Sequence, residues 1–360
     1  MAATTYSKAV NTSPYYSVQL RRFAITAIVM LITIVFTLGY LLPLGNMALT
    51  AVKNPSQMAK SSTGPVLPVD PVNYTYQGQE YPVYTVPTEQ GDQQLALVKK
   101  GRSSSQFVDP TNPDAGLITW QGSWRTLEPA YIVTPHYENF KVASDTINFP
   151  LLFRNTLAIA VIGMIGTLLS CICVAYAFAR FPIPGKNVLF IILIGTIILP
   201  TQVTLIPTYA FFAAIGWTGS WLPLTVPHFF ANAYNVFLLR QFFLTLPREL
   251  DEAAMIDGAS PFQVLRRVII PQSWPAIIAV GLFHFIFAWN DYFNPLLYLL
   301  SKPELQPISV GVQVFNTRYN AQHPELAQAT SLMAMVLPIV IFFFAQKIFM
   351  RGVVFTGVEK

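Results

Sequence analysis

Residues 247–275 read P-R-E-L-D-E-A-A-M-I-D-G-A-S-P-F-Q-V-L-R-R-V-I-I-P-Q-S-W-P, a charged segment within the apolar second half of the chain. Pro247 can begin a helix, because the N–H that proline lacks would be unpaired there anyway. Gly258 can end this helix, since glycine tolerates the left-handed conformation of a helix terminus. Ser260, followed by a proline, supplies the cap and first turn of a second helix, which we expect to end before Pro271. The segment therefore predicts two short helices joined at a glycine elbow.

This segment resembles the EAA loop of the permease subunits of ATP-binding-cassette (ABC) importers. The residues that carry the resemblance are Glu252, Ala253, Ala254, Asp257, Gly258, Ala259 and Pro271. In that family the loop, here residues 245–272, is a cytoplasmic coupling helix that docks in a cleft of the ATP-hydrolysing subunit. The resemblance implies that the two acids bond donors in the cleft, that the paired alanines allow close approach and that the glycine fixes the elbow. The alternative is a surface helical hairpin between two membrane spans.

The composition indicates a membrane protein. The 360 residues are 53% hydrophobic and 11% charged, and the mean hydropathy is +0.47, values typical of chains with several membrane spans. The formal net charge is +5, but the basic residues flank apolar runs and form no patch with interleaved aromatic residues. We therefore exclude nucleic acid as a partner. Cys171 and Cys173 lie in an apolar run, where we interpret them as small apolar side chains.

Six apolar runs are candidate membrane spans, since about 20 residues cross a hydrocarbon core of about 30 Å. They comprise residues 23–44, 151–178, 188–209, 221–244, 274–300 and 326–349. The first run exceeds the apolar region of a signal peptide, which has about 7–15 residues, so we expect an uncleaved span. Prolines inside the later runs are tolerated where neighbouring helices or water satisfy the freed carbonyls. The chain is thus predicted to be an all-α polytopic membrane protein with six transmembrane helices.

Residues 53–149, between the first two runs, are rich in Pro, Gly, Ser, Gln and Tyr. Residues 81–86 and 94–99 have the composition of short strands on either side of a turn-like sequence at 89–92. We predict a compact β-rich insertion here, and a mostly extended loop is the alternative. Three aromatic residues could supply its small core: Trp120, Trp124 and Tyr131.

Basic residues set the predicted orientation, since cytoplasmic loops are enriched in Lys and Arg. Those on one side of the membrane are Arg21, Arg22, Arg180, Lys186, Arg248, Arg266, Arg267, Lys347, Arg351 and Lys360, whereas the opposite connection at 209–221 carries no charge. We therefore expect both termini and the 247–275 segment to be cytoplasmic and the insertion to be extracytoplasmic. The protein would be a multi-pass component of the cytoplasmic (inner) membrane.

Further motifs resemble the carbohydrate branch of the same family, in particular the smaller permease of maltose-type transporters. They are Thr134-Pro135 with Asn139-Phe140, Arg154-Asn155-Thr156, Trp289-Asn290-Asp291 and the tail from Gln346 to Lys360. The resemblance covers about residues 134–360 and the first span, and it implies the type I ABC importer permease fold. The insertion departs from the family, which usually has a much shorter loop at that place.

The predicted divisions of the chain follow from the spans and the resemblance. They are a cytoplasmic N-terminal segment at 1–20, a first transmembrane helix at 21–52, the insertion at 53–149, a permease core with five transmembrane helices at 150–349 and a cytoplasmic tail at 350–360. The resemblance also implies partners. These are a second permease subunit, an ABC ATPase dimer, an extracytoplasmic sugar-binding protein or lipoprotein, and membrane lipid.

No catalytic chemistry is expected in this chain. The sequence has no Walker A glycine loop, its four histidines lack metal-ligand spacing, and no serine nucleophile motif stands out. ATP and magnesium would bind the partner ATPase, and neither a cofactor nor a metal is expected here.

The substrate path is predicted from polar and aromatic residues at membrane depth, where an ionisable group is costly and by default functional. The candidates are Trp289, Asn290, Asp291, Tyr292, Asn232 and Asn235. The alternative is that these side chains only bond neighbouring helices. In maltose-type systems the sugar site belongs largely to the other permease.

The predicted function is that of a permease subunit that moves a sugar or oligosaccharide across the cytoplasmic membrane, coupled to a separate ATPase. One alternative is a permease of the same superfamily for a peptide, an amine or another solute. Another is a membrane-anchored receptor or scaffold that uses the outer domain. A pure anchor would have no need of the 247–275 segment.

Overall fold

The computed structural model describes residues 14–59, 65–88, 91–318 and 323–354. Residues 1–13, the predicted turn residues 89–90 and the last part of the predicted tail, 355–360, lie outside this part of the chain. The α-helices within it are α1 (Pro14–Ala51), α2 (Pro55–Ala59), α3 (Glu138–Ile147), α4 (Phe149–Arg180), α5 (Lys186–Gly195), α6 (Thr201–Ala214), α7 (Leu222–Thr225), α8 (Ala233–Thr245), α9 (Glu249–Ile256), α10 (Pro261–Val264), α11 (Ile270–Gln272), α12 (Trp274–Asn290), α13 (Phe293–Tyr298), α14 (Ile308–Arg318) and α15 (Pro324–Val354).

Three helices, α1, α4 and α15, are each long and apolar enough to cross a membrane. Two further pairs of helical segments pass the same test together but are bent: residues 186–198 meet residues 203–214 at 99°, and residues 261–272 meet residues 274–290 at 83°. Within the described ranges, length and composition therefore give three candidate spans, or up to five if each bent pair is one span.

Helix α1 begins at Pro14, before the apolar run at 23–44. Residues 14–20, which we assigned to the N-terminal segment and not to the first transmembrane helix, are therefore helical. The physical reason is that extending an existing helix is much easier than nucleating one, so the apolar span continues into its polar flank.

The run at 221–244 is divided into α7, a 3-10 turn at Val226–Phe229 and α8, with Pro223 and Pro227 in the broken part. Helix α8 has 13 residues, or about 20 Å at 1.5 Å per residue, which is shorter than a hydrocarbon core of about 30 Å. The run at 274–300 is likewise divided at Asp291, between α12 and α13.

The chain between α2 and α3 forms a β region, residues 69–133. Its strands are β1 (Val69–Pro71), β2 (Asn73–Tyr76), β3 (Gln79–Thr88), β4 (Gly91–Lys99), β5 (Ser104–Val108), β6 (Leu117–Gln121), β7 (Glu128–Pro129) and β8 (Tyr131–Val133). The larger sheet is antiparallel with the order β2-β3-β4-β5-β6, and β7 pairs with β3. Strands β1 and β8 pair separately, so the first and last strands of the β region lie side by side. The strands predicted at 81–86 and 94–99 fall within β3 and β4.

Two apolar clusters lie in the β region. One consists of Val83, Ala96, Val108 and Ala130, and the other of Val86, Leu95, Leu97 and Phe107. Trp120 and Trp124 pack against the second cluster, as predicted. Tyr131 is 43% exposed and does not belong to it, because β8 pairs only with the short strand β1.

The β region meets the helical part through a small polar cluster at His136. Its Nε2 lies 2.9 Å from Oδ2 of Asp70 in β1, and its Nδ1 lies 2.6 Å from Oε1 of Glu138 in α3. Asn54, after α1, donates from Nδ2 to the other oxygen of Asp70 at 2.8 Å. These contacts join the start of the β region to both helices that flank it.

Helix α4 is central to the helical part. Its buried side chains pack with those of α8 and α12 in one cluster and with those of α12 and α14 in another. Small residues allow the close approach, since a Cβ on Gly163 would lie 2.6 Å from Nε2 of His284, and one on Gly166 would lie 2.6 Å from the ring of Phe229. Cys171 is buried in the first cluster and Cys173 is exposed, and both are free thiols.

Candidate functional site

The two helices predicted in the 247–275 segment are present. Helix α9 ends at Gly258, which has φ +82°. The N–H of Gly258 donates to the carbonyl of Met255 at 3.0 Å, and the N–H of Ala259 donates to the carbonyl of Ala254 at 2.9 Å. This hydrogen-bond pattern is the Schellman motif, which favours glycine at the left-handed residue. A Cβ on Gly258 would meet nothing within 4 Å, so the requirement for glycine is one of backbone conformation alone.

The second helix begins with a capping box. The hydroxyl of Ser260 accepts from the N–H of Gln263 at 3.4 Å, and Oε1 of Gln263 accepts from the N–H of Ser260 at 2.7 Å. The prediction that this helix ends before Pro271 is wrong, because a π-helical turn at Leu265–Ile269 carries α10 into α11. A proline clashes with the carbonyl four residues earlier in an α-helix, and the wider π turn just before Pro271 gives the ring room.

We call residues 249–272, from α9 through α11, the hook. After Ser273 the chain turns by 83° into α12, so the hook crosses the direction of the span that follows it. Three large apolar side chains of the hook are exposed, and we call them its apolar face: Met255 is 50% exposed, Ile256 is 86% exposed and Phe262 is 67% exposed. An exposed apolar patch of this kind on a charged surface helix is typical of a protein–protein interface.

The seven residues predicted for coupling lie on the hook but do not share one face. Glu252, Ala253, Asp257, Gly258 and Pro271 are exposed. Ala254 and Ala259 are half-buried against the core cluster around α4 and α8. Of the two alanines expected to let a partner approach closely, only Ala253 is therefore accessible, whereas Ala254 lets α9 pack closely on its own chain.

A buried ion pair fastens the hook to the rest of the chain, and sequence reasoning missed it. Nε of Arg180, at the end of α4, lies 2.7 Å from Oδ2 of Asp251 in α9, and each side chain is 6% exposed. Arg180 also donates from Nη2 to the carbonyl of Leu246 at 3.0 Å. Oδ1 of Asp251 is buried and has no hydrogen-bond partner among the described residues. A cavity of ≈ 300 Å³ borders the pair.

Neither residue of this pair stood out in the sequence as one half of an ion pair. Arg180 follows an apolar run, where it was interpreted as an orientation signal, and Asp251 stands next to the acid of the family motif. Only the fold brings these two residues together. The available signal was that Asp251 is an acidic residue of this segment that does not belong to the family motif.

The predicted substrate-path residues fall into three separate cavities. Trp289, Asn290 and Tyr292 border one of ≈ 420 Å³ between α12, α14 and α15. Asn232 and Asn235 border a second of ≈ 340 Å³ between α8 and α12. Asp291 borders a third of ≈ 500 Å³ between α6, α12 and α13. The break in the helix at Asp291 separates side chains that are adjacent in sequence.

Several of these side chains have local structural partners. Asp291 accepts from the N–H of Asn294 at 3.3 Å and from its Nδ2 at 3.0 Å, and so caps α13. Oδ1 of Asn232 accepts from the N–H of Asn235 at 3.0 Å and so caps α8. Trp289 is buried and donates from Nε1 to a carbonyl of α15 at 3.2 Å. Only the bond of Trp289 joins two distant helices, as in the alternative interpretation, whereas the bonds of Asp291 and Asn232 are local.

The side chains of two histidines in the helical part are also in contact, although their spacing in the sequence did not indicate this. The rings of His228 and His284 lie 4.4 Å apart between centroids, and Nδ1 of His284 lies 3.0 Å from Oγ1 of Thr167 in α4. They border the same cavity as Asn235, whose Oδ1 is buried without a partner among the described residues. Within the described ranges there is no group of three or more His, Cys, Asp or Glu that could hold a metal ion.

The fold is that of a membrane component with a docking surface for another subunit. The features that define it are the long apolar helices and the helix–glycine–helix hook with its exposed apolar face. Residues 166–354 match the model of the family described as "Binding-protein-dependent transport system inner membrane component". The chain belongs to this family. It is therefore a permease subunit of an ABC importer and not an enzyme.

Three similar proteins are permeases of transport systems. The chain is 30% identical over 274 residues, 74% of this chain and 89% of the relative, to the osmoprotective compounds uptake permease protein GgtD of Synechocystis sp. (strain ATCC 27184 / PCC 6803 / Kazusa). It is 34% identical over 212 residues, 59% of this chain and 75% of the relative, to the sn-glycerol-3-phosphate transport system permease protein UgpE of Pectobacterium atrosepticum. It is 30% identical over 216 residues, 58% of this chain and 56% of the relative, to the alpha-glucoside transport system permease protein AglG of Rhizobium meliloti.

A solved structure shares the fold. It is a chain of a bacterial ABC transporter involved in the import of the acidic polysaccharide alginate, with a TM-score of 0.63 and 19% identity, and the match covers 96% of this chain and 99% of that chain. The architecture is accordingly that of the type I ABC importer permeases.

Proposed function

We propose that this permease subunit moves a sugar, an oligosaccharide or a similarly hydroxyl-rich solute across the cytoplasmic membrane. The relatives named above carry an alpha-glucoside, a glycerol phosphate and osmoprotective compounds, and the fold neighbour belongs to an alginate importer. The alpha-glucoside, the glycerol phosphate and alginate share a dense set of hydroxyl or acidic oxygens. The resemblance of Trp289-Asn290-Asp291 and of the tail to the carbohydrate branch points to the same class of solute.

The hook is the feature that supports the proposed coupling mechanism. Its apolar face, with Ile256 and Phe262, suits a cleft on an ABC ATPase, and the exposed acids Glu252 and Asp257 would accept hydrogen bonds at the edge of that cleft. ATP and magnesium act in the ATPase, which closes as it binds nucleotide. This chain supplies the arm on which that closure acts, because the Schellman turn at Gly258 keeps the two halves of the hook at a fixed angle.

The proposed assembly contains a second permease subunit, an ATPase dimer and an extracytoplasmic binding protein. A structure of the alginate transporter in complex with an alginate pentasaccharide-bound periplasmic protein gives a precedent for the last of these. Each permease would contribute six spans, which in this chain are α1, α4, the bent pair at 186–214, α8, α12 and α15. Both termini and the hook would be cytoplasmic, and the β region extracytoplasmic, because the basic residues of the hook and Arg180 lie at the same end of the helical part.

The proposed substrate path uses polar groups that border two of the cavities. Asn290 and Tyr292 border the ≈ 420 Å³ cavity, where Nδ2 of Asn290 already donates to the carbonyl of Ile286, so its amide oxygen and the hydroxyl of Tyr292 are the groups proposed to meet the solute. Asn235 borders the ≈ 340 Å³ cavity and has a buried oxygen without a partner among the described residues. Trp289, Asp291 and Asn232 would shape the walls of the path, since their polar atoms are already bonded within the chain.

The test is reconstitution of the assembly purified through a tag on this chain. Proteoliposomes that contain the complex and its binding protein should take up labelled sugars only with ATP, and sugar should stimulate ATP hydrolysis. A panel of oligosaccharides, polyol phosphates, peptides and amines then identifies the solute class. Uptake of peptides or amines alone would contradict the carbohydrate assignment, and a tagged chain that never co-purifies with an ATPase would contradict the importer function.

A further inference from the structure

Helix α4 is attached to the hook at its C-terminal end, which we call its inner end because it is cytoplasmic in the proposed orientation. The ion pair between Arg180 and Asp251 is almost completely buried, and removal of either partner would leave a charge buried without compensation. The N–H at Nε of Arg180 is not aligned with the carboxylate of Asp251. The contact is therefore an ion pair without a well-aligned hydrogen bond. The hook is therefore attached to α4 by a contact that is costly to break, although the two are far apart in sequence.

The outer end of α4 is held just as specifically to a different segment. Asn155 donates from Nδ2 to the carbonyls of Glu304 and Gln306, at 2.9 and 3.0 Å. Thr156 accepts at Oγ1 from the N–H of Ile308, at 2.8 Å. Both polar side chains are buried. These three bonds fix the segment that leads into α14, and Ile308 and its neighbour in α14 border the cavity proposed above for the substrate.

Between its two ends α4 is a continuous helix that cannot easily shorten or bend away. It has 32 residues without an internal break, or about 48 Å at 1.5 Å per residue. Its small residues pack tightly, since a Cβ on Gly163 would touch His284 at 2.6 Å and a Cβ on Gly166 would touch Phe229 at 2.6 Å. Close packing of this kind transmits a displacement and does not absorb it.

We propose that α4 is the element that transmits movement of the hook to the 304–309 segment at the wall of the substrate cavity. Arg180 and Asp251 are the positioning residues at its inner end, and Asn155 and Thr156 are those at its outer end. Covalent connection alone would route the movement through α8 and α12, which flank the hook in sequence. The inference rests on the proposed function, in which the hook docks on an ATPase.

The first test addresses the inner end in proteoliposomes containing the purified complex. Arg180→Gln and Asp251→Asn should each lower solute uptake per ATP hydrolysed by about threefold to thirtyfold, the range expected for residues along a coupling route. The exchange R180D/D251R restores an ion pair and should recover most of that ratio. The matched controls are Arg102→Gln and Asp114→Asn, the same kinds of change at exposed residues of the β region, and each should leave the ratio unchanged.

The second test addresses the outer end, far from any ATPase contact, so that weakened docking cannot explain the result. Thr156→Val removes the acceptor for Ile308 at nearly constant volume, and Thr156→Ser keeps it. The valine variant should co-purify with the ATPase as the wild type does and yet show the same loss of uptake per ATP, whereas the serine variant should behave as the wild type. A wild-type ratio in the valine variant overturns the inference.

The elbow variant separates failure of this inference from failure of the proposed coupling. If disruption of the elbow at Gly258 uncouples uptake but the Arg180 and Thr156 variants do not, α4 is not the route and the proposed function stands. If disruption of the elbow has no effect on uptake, the hook is not the coupling element, and the part of the proposed function on which this inference rests is contradicted.

Discussion

The hook and the β region differ in how they bury their apolar side chains. The β region has two clusters of its own, with Val86 and Phe107 fully buried inside it, and it joins the helices mainly through the polar contacts of His136. The hook buries one side against α4 and α8 and leaves Ile256 and Phe262 exposed on the other. The β region is thus a self-contained unit, whereas the hook is complete only when a partner covers it. Changes in the hook should therefore act on coupling, and changes in the β region should act locally.

The largest effect on uptake is expected from Gly258→Val. A β-branched residue at φ +82° carries a strain of about 1–3 kcal/mol, which would be relieved by opening the elbow. We expect normal insertion and continued ATP hydrolysis, with uptake close to background in proteoliposomes. Gly258→Asn is the matched control, because asparagine tolerates the left-handed conformation, and it should retain most of the uptake. Equal uptake by the valine variant and the wild type would remove the hook from the mechanism.

The next effect concerns docking. Ile256→Asp places a charge in the exposed apolar face of the hook and should reduce co-purification of the ATPase by at least about fivefold, since interface residues of this kind cost more than about 1 kcal/mol when removed. Leu117→Asp is the matched control in the β region, where the leucine is 46% exposed, and it should leave co-purification unchanged. Equal losses in both variants would mean that the two regions do not differ as proposed.

Phe107→Ala is expected to have a smaller effect on uptake and a large effect on the local stability of the β region. Removal of a fully buried phenylalanine costs about 3–5 kcal/mol, so the amides of β4 and β5 should lose hydrogen-exchange protection. Protection of α9 should stay at the wild-type level, and so should ATPase stimulation. Loss of protection in the hook would show that the β region is not self-contained.

The smallest effect is a pH dependence at the junction between the two parts. Hydrogen bonds to Glu138 and then to Asp70 raise the pKa of His136 above its ordinary value of 6.5, despite an opposing contribution from burial. The protonated His136 thus stabilises the junction fully below pH 6.5, and this contribution is lost as the pH rises through the raised pKa. The hydrogen bond from His136 lowers the pKa of Glu138 below its ordinary 4.5, so the contribution of that carboxylate is present above pH 4.5 and lost in stronger acid.

The corresponding measurement is hydrogen exchange of the amides in β1 and β8, corrected for the intrinsic pH dependence of exchange. Protection should be greater at about pH 6 than at about pH 8, and His136→Gln should remove the difference. The amides of the hook should show no such change. Identical protection at both pH values in the wild type would contradict the role of His136 at the junction.

The sequence predicted those features that depend on local chemistry. The elbow followed from Gly258 and the second helix start from Ser260, because helix ends are determined by a few neighbouring residues. The strands at 81–86 and 94–99 followed from composition, and the long helices followed from apolar runs. The end of the second hook helix was mispredicted because a π turn accommodates Pro271, and nothing in the residue pattern indicates a π turn.

Contacts between distant parts of the chain were not predictable in this way. The pairing of Arg180 with Asp251 and of Asn155 with the 304–306 carbonyls requires the fold to be known, since each partner alone has an ordinary local explanation. Asn290 and Asp291 were both predicted to line the substrate path because they are polar residues in an apolar run, but α12 ends between them and they border different cavities. Adjacent residues share a site only while the helix continues.

The most direct test of the central claim is the accessibility of the hook in the assembled importer. Ile256→Cys in a background that carries Cys171→Ser and Cys173→Ser can be treated with a membrane-impermeant maleimide on intact cells and on inside-out vesicles. The account predicts labelling only in the vesicles, and only after the ATPase has been stripped from them. Labelling of intact cells, or labelling in vesicles that is the same with and without the ATPase, would contradict it.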